Sequence, residues 1–362
     1  MNSLKEFKDS IQSHFEQQLP FVVYNEPESN ELIALLQPST SLHSAKGFKR
    51  SGFVFCPFQS GKATVLIPDA VAQELVCQVD EHFFDEQQVD EVIPTSPPIE
   101  SGYERMVIKA IQKIESGAAK KIVLSRKIEI PVDDTNGLDI VFDTIKAYRD
   151  AFTYGFFHPK LGFWIGATPE TLIDVTGTTF KTMALAGTQK VREGMNPSWT
   201  QKEINEQYFV TQAITEGLQP LVKVIVVSKT KNKQAGNLWH ICNDISGTLK
   251  NKKELLERVI NALHPTPAIC GMPEDISKRF ILKNEGYDRE FYSGYLGRLS
   301  PELNARFFVN LRCLKLVDNI ANVFVGGGIT EDSAPLEEWV ETAHKSLTMK
   351  RLLLPYSKLQ QA

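Results

Sequence analysis

The chain has 362 residues, 42% hydrophobic and 23% charged, with a formal net charge of -4. That composition supports a full globular core and argues against a nucleic-acid partner, which selects for a basic stripe. It leaves room for an anionic small molecule, which needs only local positive charge. No run approaches the roughly 18 apolar residues of a membrane span. The opening segment is not a signal peptide. The five cysteines, Cys56, Cys77, Cys242, Cys270 and Cys313, stand singly in apolar sequence with no CxxC. They read as buried, reduced thiols of a cytoplasmic protein.

Leu4, Phe7, Ile11, Phe15 and Leu19 recur every three or four residues and predict a first amphipathic helix. Strands are expected in "LPFVVYN", "GFVFCPF" and "KATVLIP", then a helix over 70–83, "AVAQELVCQVDEHF". Residues 91–106 are rich in Pro and Ser and read as a linker. After it, Met106, Ile108, Ile111 and Ile114 mark a helix closed by Gly117.

Short strands follow: "KKIVLSRKIEIPV", "YGFFH", "GFWIGAT", "TLIDVTG" and "TFKTMALAGT". Residues 189–203 read as a mobile polar loop. Helix is expected over 204–222, strand over 238–249 and helix over 252–263. The last third predicts strands at 291–300, 305–317 and 319–329, then a helix over 335–354. The pattern is an α/β or α+β mixture with antiparallel strands. One domain over 1–362 is preferred, because the first 90 residues are short for a core of their own and are expected to complete the sheets.

Several residues invite a functional reading beside a bland one. Gly326, Gly327 and Gly328 miss both phosphate-loop spacings. They make either a tight turn or a close approach to a ligand. In the helix after them, Asp332 or Ser333 is placed to N-cap and Pro335 suits the first turn. Glu338, Glu341 and Lys345 share a face of it, as a solvated pair or as something presented. Glu203 and Glu206 are likewise three apart. Carboxylates from two helices would suit Mg²⁺. Glu170 reads as a solvated turn residue, and Lys120 and Lys121 as a charged strand edge. Arg312 interrupts an apolar strand, where an arginine needs an anionic partner. His240 and His264 lack metal spacing and read as hydrogen-bonding histidines.

In order, the strings "KIVLSR", "GATPETL", "ALAGT", "KEINEQYFV", "LWH", "HPTPA", "REFYSGYLG", "NLRCLKL", "VGGGI" and "EEWVETAHK" resemble the chorismate-utilising enzymes over residues 100–350. The resemblance implies two large antiparallel sheets packed together with helices outside. It also implies a chorismate substrate and Mg²⁺, no nucleic-acid or membrane partner, and a monomer. Lys121 stands where water-adding members carry lysine and ammonia-using members glutamine. Ala186 replaces the attacking lysine of aminodeoxychorismate synthases. "HPTPA" resembles isochorismate synthases, whereas Tyr292 resembles salicylate synthases. The expected activity is therefore isochorismate synthesis, feeding menaquinone or a catechol siderophore. Salicylate synthase and a non-catalytic chorismate-binding subunit are the rivals.

By the same resemblance Lys121 is the base, acting in its neutral form, and Glu170 the acid, holding a proton near neutrality. Glu206 and Glu341 are Mg²⁺ ligands, with Glu203 and Glu338 supporting. Arg312, Gly326, Lys345 and Tyr292 hold the enolpyruvyl carboxylate. Gly187, Thr188 and His240 line the ring pocket.

Overall fold

The computed structural model describes residues 3–59, 61–84, 99–133, 137–191, 196–235 and 238–357. Seven helices lie among them: α1 (Leu4–Glu16), α2 (Ser101–Glu115), α3 (Gly137–Ala147), α4 (Gln201–Leu218), α5 (Lys252–Leu263), α6 (Glu274–Asn284) and α7 (Pro335–Leu353). The strands of the first third are β1 (Phe21–Asn25), β2 (Glu31–Leu36), β3 (His43–Ser44), β4 (Gly52–Cys56), β5 (Val65–Pro68) and β6 (Gln73–Gln78). The middle contributes β7 (Lys121–Pro131), β8 (Phe152–His158), β9 (Gly162–Thr168), β10 (Thr171–Thr176), β11 (Thr179–Lys190), β12 (Val222–Val227), β13 (Lys231–Ala235) and β14 (Leu238–Leu249). The last third adds β15 (Gly271–Met272), β16 (Tyr295–Leu299), β17 (Ala305–Val309), β18 (Cys313–Val317) and β19 (Ile320–Ile329).

These strands form two antiparallel sheets, as the resemblance implies. The first runs β15-β7-β19-β18-β9-β8-β1-β2-β6. The second runs β12-β14-β11-β10-β17-β16-β4-β5-β3, with β13 also on β14. The N-terminal strands thus add to both sheets. Between the sheets lies an aromatic layer that includes Phe55, Phe152, Trp164, Phe291, Phe308 and Phe324. Phe55 stacks on Phe291 at 4.1 Å and Phe152 on Phe308 at 4.3 Å. Each such ring stabilises the packed state by about 1.5–3 kcal/mol through burial. Helices α1 and α3 cover the outer face of the first sheet, and α4 and α5 that of the second. No helix among the described residues is long and apolar enough to cross a membrane. All five cysteines are free and buried.

Helix α1 starts on a capping box, Ser3 with Glu6, and buries Phe7 and Ile11. Helix α2 ends where expected, with Gly117 at φ +73° beyond the cap. Its buried stripe is Tyr103, Met106, Val107, Ala110 and Ile114, while Ile108 lies off it and is exposed. The expected helix over 70–83 is instead strand β6 and a short 3-10 turn. Leu75 and Cys77 alternate inward and pair with Ala34 and Leu32, so period two wins over period 3.6. The strand expected from Phe291 begins only at Tyr295. Residues 91–98 of the expected linker and 192–195 of the expected loop lie outside the described residues.

Two places where the chain changes sheet matter most. Between β9 and β10 it leaves the first sheet for the second, and Glu170 sits there. Between β17 and β18 it returns, and Arg312 sits there at φ +46°. The apolar run 305–317 is therefore two strands in different sheets, and Arg312 occupies the break. The crossovers lie side by side: Val309 N–H donates to Glu170 O at 2.9 Å and Ala167 N–H to Arg312 O at 3.1 Å.

Candidate active site

One wall is built on β7 and β19. Lys121 opens β7 and is buried, not at a sheet edge, because β15 pairs alongside. Its Nζ lies 2.5 Å from Glu206 Oε1 on α4. Opposite β7, Gly326, Gly327 and Gly328 pair with Ser125, Leu124 and Val123. They are extended strand rather than a turn, and they run past the end of β18 into the cavity wall. A Cβ on Gly328 would meet Lys121 Cε at 2.6 Å and Glu206 Oε1 at 3.3 Å. One on Gly327 would meet Glu338 Oε2 at 3.1 Å. The glycines thus let a lysine and carboxylates lie directly over main chain.

Helix α7 supplies the facing residues. Its cap is Ala334, without a side-chain bond, and Pro335 is at its start. Ser333 is not the cap: its Oγ donates to Glu338 Oε1 at 2.5 Å. Glu338 is buried behind Gly327 and does not line the cavity. Glu341 and Lys345 form the i,i+4 pair at 2.6 Å, and Lys345 Nζ donates to Gly326 O at 3.2 Å. Burial works against the Lys345 charge, but Glu341, Glu206 and Glu338 outweigh it and hold its pKa above the usual lysine value. On α4, Glu203 Oε2 accepts from Thr200 N–H at 2.7 Å, closing a capping box, while its stem packs under Gly187. Gln207 points away from the cavity, donating to Ala184 O at 2.9 Å and Asn243 Oδ1 at 2.8 Å.

The crossovers and β14 supply the other wall. Glu170 is 5% exposed, not a solvated turn residue. Burial pushes its pKa up to about 7, against the pull of Lys233, Lys121, Lys345 and Arg312. Arg312 Nη2 donates to His240 Nε2 at 3.4 Å, so the other ring nitrogen carries the proton and donates to Gly187 O at 2.9 Å. Burial, then Arg312, pushes the His240 pKa down to about 3, and the ring is neutral. Gly187 is at φ +62°, where β11 slips register against β14. Tyr292 is buried, stacks on Phe324 at 5.4 Å and brings its hydroxyl within 3.0 Å of where a Gly326 Cβ would sit.

Lys121, Glu170, Gly187, Glu203, Glu206, His240, Tyr292, Arg312, Gly326, Glu341 and Lys345 all line one cavity of about 150 Å³. The Thr188 side chain lies outside the described residues. His264 is elsewhere, bonded to Ser293 O at 3.0 Å. Sequence reasoning missed Lys233, whose Nζ donates to Pro169 O at 3.4 Å beside Glu170. It is one lysine of three in "KTKNK", and no spacing singles it out.

Among the described residues no three acidic, histidine or cysteine side chains are already gathered at one point. Lysines hold Glu206 and Glu341 instead. The donor chemistry still fits a hard cation: carboxylates from α4 and α7 converge on the glycine strand, with Glu206 beside Gly328 and Glu338 and Glu341 beside Gly327.

Residues 63–354 match the chorismate binding enzyme family. The chain belongs to that family. Among its relatives, isochorismate synthase EntC of Escherichia coli K12 is 32% identical over 263 residues, covering 70% of this chain and 67% of EntC. Isochorismate synthase DhbC of Bacillus subtilis is 27% identical over 317 residues, 82% of this chain and 79% of DhbC. Two solved structures share the chorismate-binding fold. DhbC from Bacillus anthracis has a TM-score of 0.77 at 24% identity, covering 94% of this chain and 99% of its own. MenF, the menaquinone-specific isochorismate synthase of Escherichia coli, has a TM-score of 0.74 at 20% identity, covering 92% and 88%.

Proposed function

We propose that this chorismate-binding enzyme is an isochorismate synthase. The observation that carries the reading is Glu170: a carboxyl in the same cavity as Lys121, with its pKa raised to about 7 by burial. A group that keeps its proton near neutrality is suited to general acid work. Relatives named as isochorismate synthases support the same assignment.

In this reading Lys121 accepts a proton from water as the water oxygen bonds to carbon 2 of chorismate. The ring double bonds shift, and the carbon 4–oxygen bond breaks. Glu170 gives its proton to the departing hydroxyl, which leaves as water. One water enters and one leaves, so the product is an isomer. Arg312, Lys345 and the Tyr292 hydroxyl hold the enolpyruvyl carboxylate, a task suited to a forked guanidinium. Gly326 brings main chain close to it. Gly187, Thr188 and neutral His240 line the ring pocket.

Mg²⁺ is proposed as the cofactor, held by Glu206 and Glu341 with Glu338 and Glu203 in support. It supplies charge neutralisation for the ring carboxylate. To hold the ion, Glu206 and Glu341 would have to give up their pairs with Lys121 and Lys345. The whole chain is proposed to act as one domain, since both sheets draw strands from the first third.

The test is incubation of the purified protein with chorismate, with and without Mg²⁺, and chromatography of the products. Isochorismate formed only with Mg²⁺ is expected, without salicylate or pyruvate. Salicylate would make the protein a lyase as well, and no turnover would leave only binding.

A further inference from the structure

Behind the cavity, and not lining it, lies a buried ion pair that the proposed chemistry does not use. Glu285 and Arg289 have side chains 1% and 2% exposed, and they meet at 2.5 Å. Arg289 has five N–H donors, and five contacts use them. Nε donates to Glu285 Oε2 at 2.8 Å and Nη2 to Glu285 Oε1. Nη2 also donates to Val123 O at 2.8 Å, and Nη1 to Ile269 O at 2.9 Å and Ser293 Oγ at 3.4 Å. Glu285 in turn accepts from Ser125 N–H at 2.7 Å and Ser125 Oγ at 2.9 Å. Val123, Ile269 and Ser293 line the cavity, and Tyr292 lies between Arg289 and Ser293 in the chain.

These three attachments are unequal. Val123 belongs to β7, already fixed by β19. Ile269 and Ser293 belong to segments outside the strands, and Ser293 sits at φ +61°. A non-glycine residue held there needs its surroundings to hold it. Replacing a buried ion pair by apolar groups is often neutral for stability, so stability alone does not explain a guanidinium that spends two donors on Glu285 and the other three on wall residues.

We propose that Arg289, oriented by Glu285, is a positioning residue that ties the Ile269 turn and the Tyr292–Ser293 loop to β7 and so sets the carboxylate-binding wall of the cavity. Arg289 touches no substrate. It acts through Tyr292, and this assignment rests on chorismate being the ligand.

Chorismate affinity by calorimetry, with kcat and KM alongside, tests it. Lysine has three donors in no fixed fork. Arg289→Lys is therefore expected to raise Kd and KM at least fivefold while kcat stays within twofold. In a Tyr292→Phe background the same change should alter Kd less than twofold, because the contact it positions is already gone. An unchanged Kd with only a lower Tm would overturn the proposal, as would effects that multiply in the double variant. Should Arg289→Lys not fold, Ser125→Ala removes only one support of Glu285 and is expected to raise Kd about twofold; no change there overturns it equally. Wild-type protein that binds chorismate but makes no isochorismate refutes the proposed function and leaves this binding test intact. Wild-type protein that does not bind chorismate refutes both.

Discussion

In the cavity Glu206 and Glu341 lie 2.5 and 2.6 Å from the lysine nitrogens of Lys121 and Lys345. Glu170, in the same cavity, is sunk at a chain crossover, and loss of water outweighs the four cations around it, those two lysines among them. The same side chain is thereby fitted to opposite tasks. A carboxylate already paired with one cation has the charge and the direction to take a metal cation in its place. A desolvated carboxyl keeps its proton and can donate it. The contrast comes from placement, since neither set of glutamates differs in chemistry from the other.

The sharpest break in this contrast is Lys121→Ala. It removes the proposed base and the lysine that pairs with Glu206 together. Turnover is expected to fall about a thousandfold, with chorismate affinity by calorimetry changed less than threefold. Turnover within tenfold of wild type would remove Lys121 from the chemistry.

Glu170→Gln keeps the shape but has no proton to give, and is expected to cost about a hundredfold in kcat with the circular dichroism spectrum intact. In the wild type, kcat/KM should fall as pH rises through about 7, where Glu170 ionises. A flat profile from pH 6 to 8 would assign the acid elsewhere.

The same shift has a stability consequence. A carboxyl whose folded pKa is raised contributes its full stability below the unfolded value of 4.5, and that stability is lost as pH rises through about 7. The loss is on the order of 3 kcal/mol by pH 8. Glu170→Gln should therefore gain on the wild type in urea midpoint at pH 8 and not at pH 4.5. An equal difference at both pH values would mean that Glu170 is not desolvated.

At the proposed metal site, Glu341→Gln is expected to raise the Mg²⁺ concentration for half-maximal activity about tenfold, with kcat at saturating Mg²⁺ reduced less. An unchanged titration would refute the ligand role. Within this contrast it is the smallest expected effect, because Glu206 remains.

Much of the fold was legible from period alone. Helices α1, α4 and α5 and strands β8 to β11 fell where their apolar spacing placed them. The span 70–83 was misread because a short apolar run fits both periods, and only pairing with β2 decided it. The break at Arg312 was invisible, since a left-handed arginine leaves no mark in composition. Helices α3 and α6 were not singled out, although α6 leads directly into the Glu285–Arg289 pair.

The order of short strings by itself determined the family, and helical spacing determined that Glu203 and Glu206 share one face and Glu338, Glu341 and Lys345 another. Tertiary structure decided what those faces meet. It set Lys121 and the glutamates over the three glycines of the expected last strand, and it buried Glu170 at a crossover. Residue spacing specifies only relative direction along one element. Burial and charge proximity, which shift a pKa or form an ion pair, depend on which elements the two sheets bring together.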